Sequence, residues 1–179
     1  MDNYSISDIR QMLNPFKEGW EHVYDTNCYT YALGLDAALT ALKMRVLNNP
    51  GGFIGKDLIQ PFTIDDLITN LEGDLEKLKI EYKEVYPDYI IKDNEWMISL
   101  MAIRARTRDF SQIYSDFHFL RQTENGIWSH KKGYRFGPTT LDSLHRKIED
   151  PLKSVVETDG FYSSERYEYI KTYSLRKIR

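Results

Sequence analysis

The run Trp96-Met-Ile-Ser-Leu-Met-Ala-Ile103 is apolar at every position but Ser99. It lacks the alternation of a strand with one wet face, and its length and composition suit a central strand covered on both faces. Everything else must be arranged around that strand. Before it the periodicity is helical. Residues 6–13 form a short candidate helix ending at Asn14-Pro15. Apolar positions then recur at Cys28, Tyr31, Ala32, Leu35, Ala38, Leu39, Leu42 and Val46, which predicts an amphipathic helix over 28–46. Asp25, Thr26 and Asn27 are all suitable N-caps for it. A further helix starts after Thr63, with Asp66 completing a capping box and a stripe of Ile64, Leu67, Ile68, Leu71, Leu75 and Leu78 broken only by Gly73. Residues 80–86, 114–122, 127–132 and 167–175 read as strands, and 140–148 as a weak helix. Helices first and neighbouring strands later predict an α+β fold with an antiparallel sheet, in one domain spanning 1–179.

Charge narrows the partners. A net charge of −3 leaves no electrostatic footprint for nucleic acid or an anionic membrane surface, although basic residues gather at 104–108 and at the C-terminus. No stretch reaches the ~20 apolar residues of a membrane helix, and the N-terminus has no apolar core of a signal peptide. These features predict a protein of the cytoplasm, that of a host cell included. The single cysteine excludes an internal disulfide and any cysteine-based zinc cluster. The loop at 48–55, rich in Asn, Pro and Gly, reads as a surface turn, with glycines that would also let it lie close to a ligand.

Two stretches carry candidate chemistry. In Asp25-Thr-Asn-Cys-Tyr-Thr-Tyr-Ala-Leu-Gly34 the cap precedes Cys28, whose sulfur then sits in the first helical turn. Free N–H groups and the helix dipole favour a thiolate there. A buried structural cysteine fits the same periodicity. In Asp116-Phe-His-Phe-Leu-Arg-Gln-Thr-Glu-Asn-Gly-Ile-Trp-Ser-His-Lys-Lys-Gly133, a three-residue loop Glu124-Asn125-Gly126 closes a hairpin with Gly126 in the left-handed region. Leu120 then faces His130, Gln122 faces Trp128 and Thr123 faces Ile127, so His118 and His130 are diagonal neighbours on one face. A two-residue turn would part them. Side by side they suit an acid–base pair, a metal pair or solvent-facing polar residues.

A thiol at a helix start with a histidine on a downstream strand is the layout of a cysteine nucleophile and its base. The segment Asn27-Cys-Tyr-Thr-Tyr-Ala32 resembles the nucleophile segment of papain-like thiol hydrolases, particularly the CHAP and NlpC-like branches. Asp116-Phe-His-Phe and Trp128-Ser-His-Lys resemble the two strands that follow it in that fold, over residues 25–135. The same segments resemble those of uncharacterised bacterial and phage proteins, and one implication of that resemblance is an effector role. The resemblance implies Cys28 as nucleophile, His118 as general base, His130 as the residue that orients its ring, and Asn27 beside the oxyanion site. Asp116 or Ser129 are alternatives to His130 as orienter. The glycine usual next to the base histidine is missing here. The implied reaction is hydrolysis, deamidation or transfer at an amide (a peptide, isopeptide or cell-wall peptide bond) of a protein or peptide substrate, through a thioester and with no cofactor or metal. Two rivals stand beside it. One is a non-catalytic module that binds a protein through its aromatic residues. The other is a metal site on His118 and His130 with a carboxylate such as Asp116.

Overall fold

The computed structural model describes residues 5–16, 26–35, 49–56, 58–106, 112–133, 136–158 and 165–178. Six antiparallel strands form its frame: β1 (Ile80–Val85), β2 (Glu95–Arg104), β3 (Tyr114–Glu124), β4 (Ile127–Lys131), β5 (Pro138–Thr139) and β6 (Glu168–Lys177), in the order β1-β6-β2-β3-β4-β5. The α+β reading holds. So does the reading of the apolar run: β2 lies between β6 and β3 and is buried from Glu95 to Ile103. Strand geometry divides the core in two. Trp96, Ile98, Leu100 and Ala102 point to one face, with Phe117 and Phe119 of β3 and with Tyr173 and Leu175 of β6. Met97, Met101 and Ile103 point to the other, with Leu120 and Trp128.

The first face is covered by the N-terminal elements: α1 (Ile6–Met12), α2 (Cys28–Ala32), a 3-10 turn (Gly52–Ile54) and α3 (Ile64–Lys77). The expected capping box closes α3, where Thr63 Oγ1 accepts from Asp66 N and the Asp66 carboxylate accepts from Thr63 N. The second face is covered by 85–91 and by a C-terminal stretch almost without regular structure, whose Ile148 and Val156 complete the second core. No helix among the described residues is long and apolar enough to cross a membrane.

Two expected helices need correction. The cysteine helix stops at Ala32, because Gly34 adopts φ +78° and Leu35 N–H donates back to Thr30 C=O at 3.0 Å. That is a glycine C-cap. A side chain there would also strike Pro15, whose backbone lies 2.5 Å from where a Cβ would sit. The apolar period runs straight across this stop, so the sequence pattern overlooks it. Tyr31 and Leu35 are fully buried as expected, whereas Leu39, Leu42 and the rest of 36–48 lie outside the described residues. The second correction is 140–148, which forms turns and a Leu141–Lys147 bridge. The Asp142 carboxylate accepts from Leu144 N–H and Arg146 N–H, giving the backbone an alternative to helical bonds.

Residues 49–56, which include the described part of the expected loop, are fastened by α3. Asn70 Nδ2 donates to Lys56 C=O at 3.0 Å, and the Asp74 carboxylate accepts from Gly51 N–H at 2.7 Å and Ile54 N–H at 3.0 Å. At Gly51, φ is +95° and a Cβ would lie 1.9 Å from Lys56 C=O. Gly51→Ala is therefore expected to cost about 2 kcal/mol or more, measured by urea unfolding, since both the strained φ and the backbone collision oppose it.

Candidate functional site

Asn27 is the residue that caps α2. Its Oδ1 accepts from Thr30 N–H at 3.0 Å while its own N–H donates to Thr30 Oγ1 at 3.1 Å, a reciprocal capping box. The Asn27 carboxamide oxygen is thus committed to holding the helix start. Cys28 follows in the first turn, as expected, and is 7 % exposed in the first core, among Tyr29, Phe117 and Phe119. Burial pushes its thiol up to about 12, and the Asp116 carboxylate adds to this. The N–H groups of Phe119 and Tyr29 and the charge of Lys131 pull the other way without prevailing. A helix of five residues offers little dipole to offset desolvation.

The histidine hairpin forms as its spacing predicts. Leu120 pairs with His130 and Gln122 with Trp128, and Gly126 has φ +78°. The register then shifts so that Glu124, not Thr123, faces Ile127. His118 and His130 share a face, their rings nearly perpendicular and His118 Nε2 2.8 Å from His130 Nδ1. The other nitrogen of His130, Nε2, lies 3.0 Å from Leu141 C=O. A carbonyl only accepts, so Nε2 carries the His130 hydrogen and Nδ1 receives one from His118. The chain of bonds runs from His118 through His130 to Leu141. The Tyr167 ring lies 5.2 Å from that of His118, and Tyr167 Oη donates to Asp116 Oδ2 at 2.6 Å. Burial holds the His118 ring well below the ordinary imidazole range, with the charges of His130 and Lys132 acting in the same direction.

Strand alternation places the two motifs apart. Phe117, Phe119, Arg121 and Ser129 face α2: Tyr29 packs on Phe119, Arg121 Nη1 donates to Tyr31 C=O, and Tyr31 Oη bonds Ser129 Oγ. His118 and His130 face the opposite side, toward Tyr167 and Leu141. The sheet lies between the sulfur and the imidazoles, and no hydrogen bond joins Cys28 to either histidine. Of the alternative orienters, Ser129 lies on the Cys28 side and Asp116 beside Tyr167. The facing nitrogens of the two histidines bond each other, and among the described residues no group of three or more His, Cys, Asp or Glu is placed to hold a metal ion.

The sequence reading missed the residues that fix α2. Lys131 is buried and donates to Thr26 C=O, and the Arg121 guanidinium lies 3.9 Å over the Tyr31 ring. Asp74 is fully buried and accepts from Tyr29 Oη at 2.7 Å. The signal for Asp74 was present, since it falls three residues after Leu71 within the apolar stripe of α3.

A cleft of about 570 Å³ lies at the end of the sheet where β2 begins. Leu13, Pro15, Phe16, Trp96 and Ile178 give it apolar walls, and Glu81, Asp93, Asn94, Arg176 and Lys177 a polar rim. Its shape is held from within: Lys177 Nζ donates to Gln11 and Leu13 C=O, and Arg176 Nε donates to the Glu81 carboxylate at 2.8 Å. Phe16 meets Trp96 edge-on at 6.5 Å and is half exposed. No protein-family model, curated protein or solved structure matches the chain.

Proposed function

We propose that this chain is a non-catalytic binding module of papain-like descent, which takes an aromatic or aliphatic side chain of a protein partner into the cleft walled by Phe16 and Ile178. The observation that carries this reading is the placement of Cys28 and the histidine pair on opposite faces of the sheet, with the thiol held protonated. A nucleophile needs its base within hydrogen-bond reach. The cleft supports the positive half of the reading, because it is partly aromatic and of a volume that suits a buried anchor residue. Its rim holds both signs of charge, which suits polar peptide groups around an apolar anchor. The order of α2, β3 and β4 around an antiparallel sheet supports the papain-like lineage. The lone thiol fits a reducing compartment such as a cytoplasm, the producer's or a host's.

Panning a random peptide library against the purified protein tests the reading. Enriched peptides are expected to share an aromatic or long aliphatic anchor. Phe16→Ala is expected to raise their Kd about tenfold, the effect of losing one good interface contact. Enrichment that survives Phe16→Ala and Ile178→Ala unchanged would reject the cleft as the contact site.

A second reading, the thiol hydrolase, is favoured by one observation. His130 is bonded to His118 in the way an orienting residue is bonded to a base. It requires Cys28 to leave the first core and meet that pair, and the reactivity of the thiol separates the two readings.

A further inference from the structure

We propose that the His118–His130 pair is an acid-operated latch: taking up two protons breaks the ring-to-ring bond and frees residues 138–156 from the second face of the sheet, uncovering Trp128.

With His130 Nε2–H on Leu141 C=O and His118 Nε2–H on His130 Nδ1, each ring is neutral and the only nitrogen left to accept is His118 Nδ1. A first proton can settle on His118 Nδ1 without breaking either bond. A second has only His130 Nδ1 to go to, and an N–H group there would face the N–H of His118. The bond between the rings is then lost, and two positive charges stand side by side in a buried site, where His118 is 4 % and His130 0 % exposed.

Among the described residues, the groups around the pair do little to absorb that charge. On its own strand Asp116 is the nearest carboxylate, and it already accepts from Tyr167 Oη. From the end of β4 Lys132 adds a like charge. β2 contributes Met101 at the register of His118, and the stretch entering β6 contributes the Tyr167 ring. On the cover, Asp142 beside Leu141 is closed on Arg146 at 2.8 Å, and Lys147 pairs across from Leu141.

The element the pair holds has little regular structure. Residues 138–156 contain only the two-residue β5 and one isolated bridge, Leu141–Lys147. They are attached to the rest by β5 on β4, by Trp128 N–H on Ile148 C=O, by Tyr167 N–H on Val156 C=O, by the apolar contacts of Ile148 and Val156, and by the His130–Leu141 bond. Segments with few contacts and little regular structure open at low cost. The first core, with its helices and Trp96, lies across the sheet and has no part in the pair.

Hydrogen exchange of the full-length protein, corrected for the intrinsic pH dependence of exchange, tests the latch. Burial holds closed His118 low, whereas rings released by opening regain the ordinary imidazole value of about 6.5, so acid favours the open form. Residues 138–156 are therefore expected to exchange at least about tenfold faster at about pH 5 than at about pH 7.5, while 64–77 change by less than about twofold. His118→Phe leaves an aromatic ring at 118 and lets the remaining His130 take up its proton with no N–H opposite it, so it is expected to reduce the difference sharply. Should that variant not fold, ring-nitrogen resonances of the unaltered protein give the same answer, since the cover should loosen in step with the second protonation. Simultaneous loss of protection in both segments, a cover that stays protected after the rings have titrated, or a His118→Phe variant with unchanged pH dependence would each overturn the proposal.

Discussion

Replacing Asp74 with alanine is expected to lower the free energy of unfolding by about 3–5 kcal/mol, the range for removing one member of a buried charged network. Asp74 is fully buried and joins three pieces of the first face. One carboxylate oxygen accepts from Tyr29 Oη and Gly51 N–H, both at 2.7 Å, and the other accepts from Ile54 N–H at 3.0 Å. Burial raises the Asp74 carboxyl above the usual carboxylate range against the pull of these bonds. It also holds the Tyr29 phenol far above its ordinary value, so the phenol remains the donor. Truncation leaves three donors facing a small cavity with nothing to accept them. Tyr29→Phe removes a single donor and should cost only about 1 kcal/mol. Urea denaturation curves measure both, and equal costs for the two variants would show that the Tyr29 bond alone matters.

Asp74 also shows what was legible in the chain before its structure. A carboxylate inside an apolar stripe is a visible anomaly, because position 74 follows Leu71 by three and precedes Leu75 by one. Its partners are 20 to 45 residues away, and nothing local names them. Much short-range chemistry was legible, although the Gly34 stop and the Asp142 turn were not. The cap just before Cys28, the capping box at Thr63, the turn at Gly126 and the continuous burial of β2 all follow from neighbouring residues. So does the grouping of His118 with His130. What alternation does not give is which group of side chains a distant helix will cover. Phe117 and Phe119 form one apolar group and His118, Leu120 and Gln122 a mixed one. A helix rich in tyrosine packs on the phenylalanines, and the histidines are left to the irregular C-terminal cover. That choice is made by total apolar area across the sheet, a long-range quantity.

Cys28 is expected to react with iodoacetamide roughly a thousandfold or more slowly than a free cysteine at about pH 7.5, because the thiolate is the reacting species and its fraction falls tenfold per unit of pKa. A thiol pushed up to about 12 leaves only a trace of thiolate at that pH. The reaction should speed up as pH rises, and denaturation in urea should restore the free-thiol rate, since the barrier is burial rather than an intrinsic property of the sulfur. His118→Ala should leave the native rate unchanged, because the imidazole lies across the sheet from the thiol. The hydrolase reading predicts the opposite on every count: alkylation near neutral pH at or above the free-thiol rate, and a sharp fall on His118→Ala as the imidazolium partner is lost. The labelling rate of one cysteine, measured native and unfolded with and without His118, thus decides whether this sheet carries a nucleophile or a binding surface.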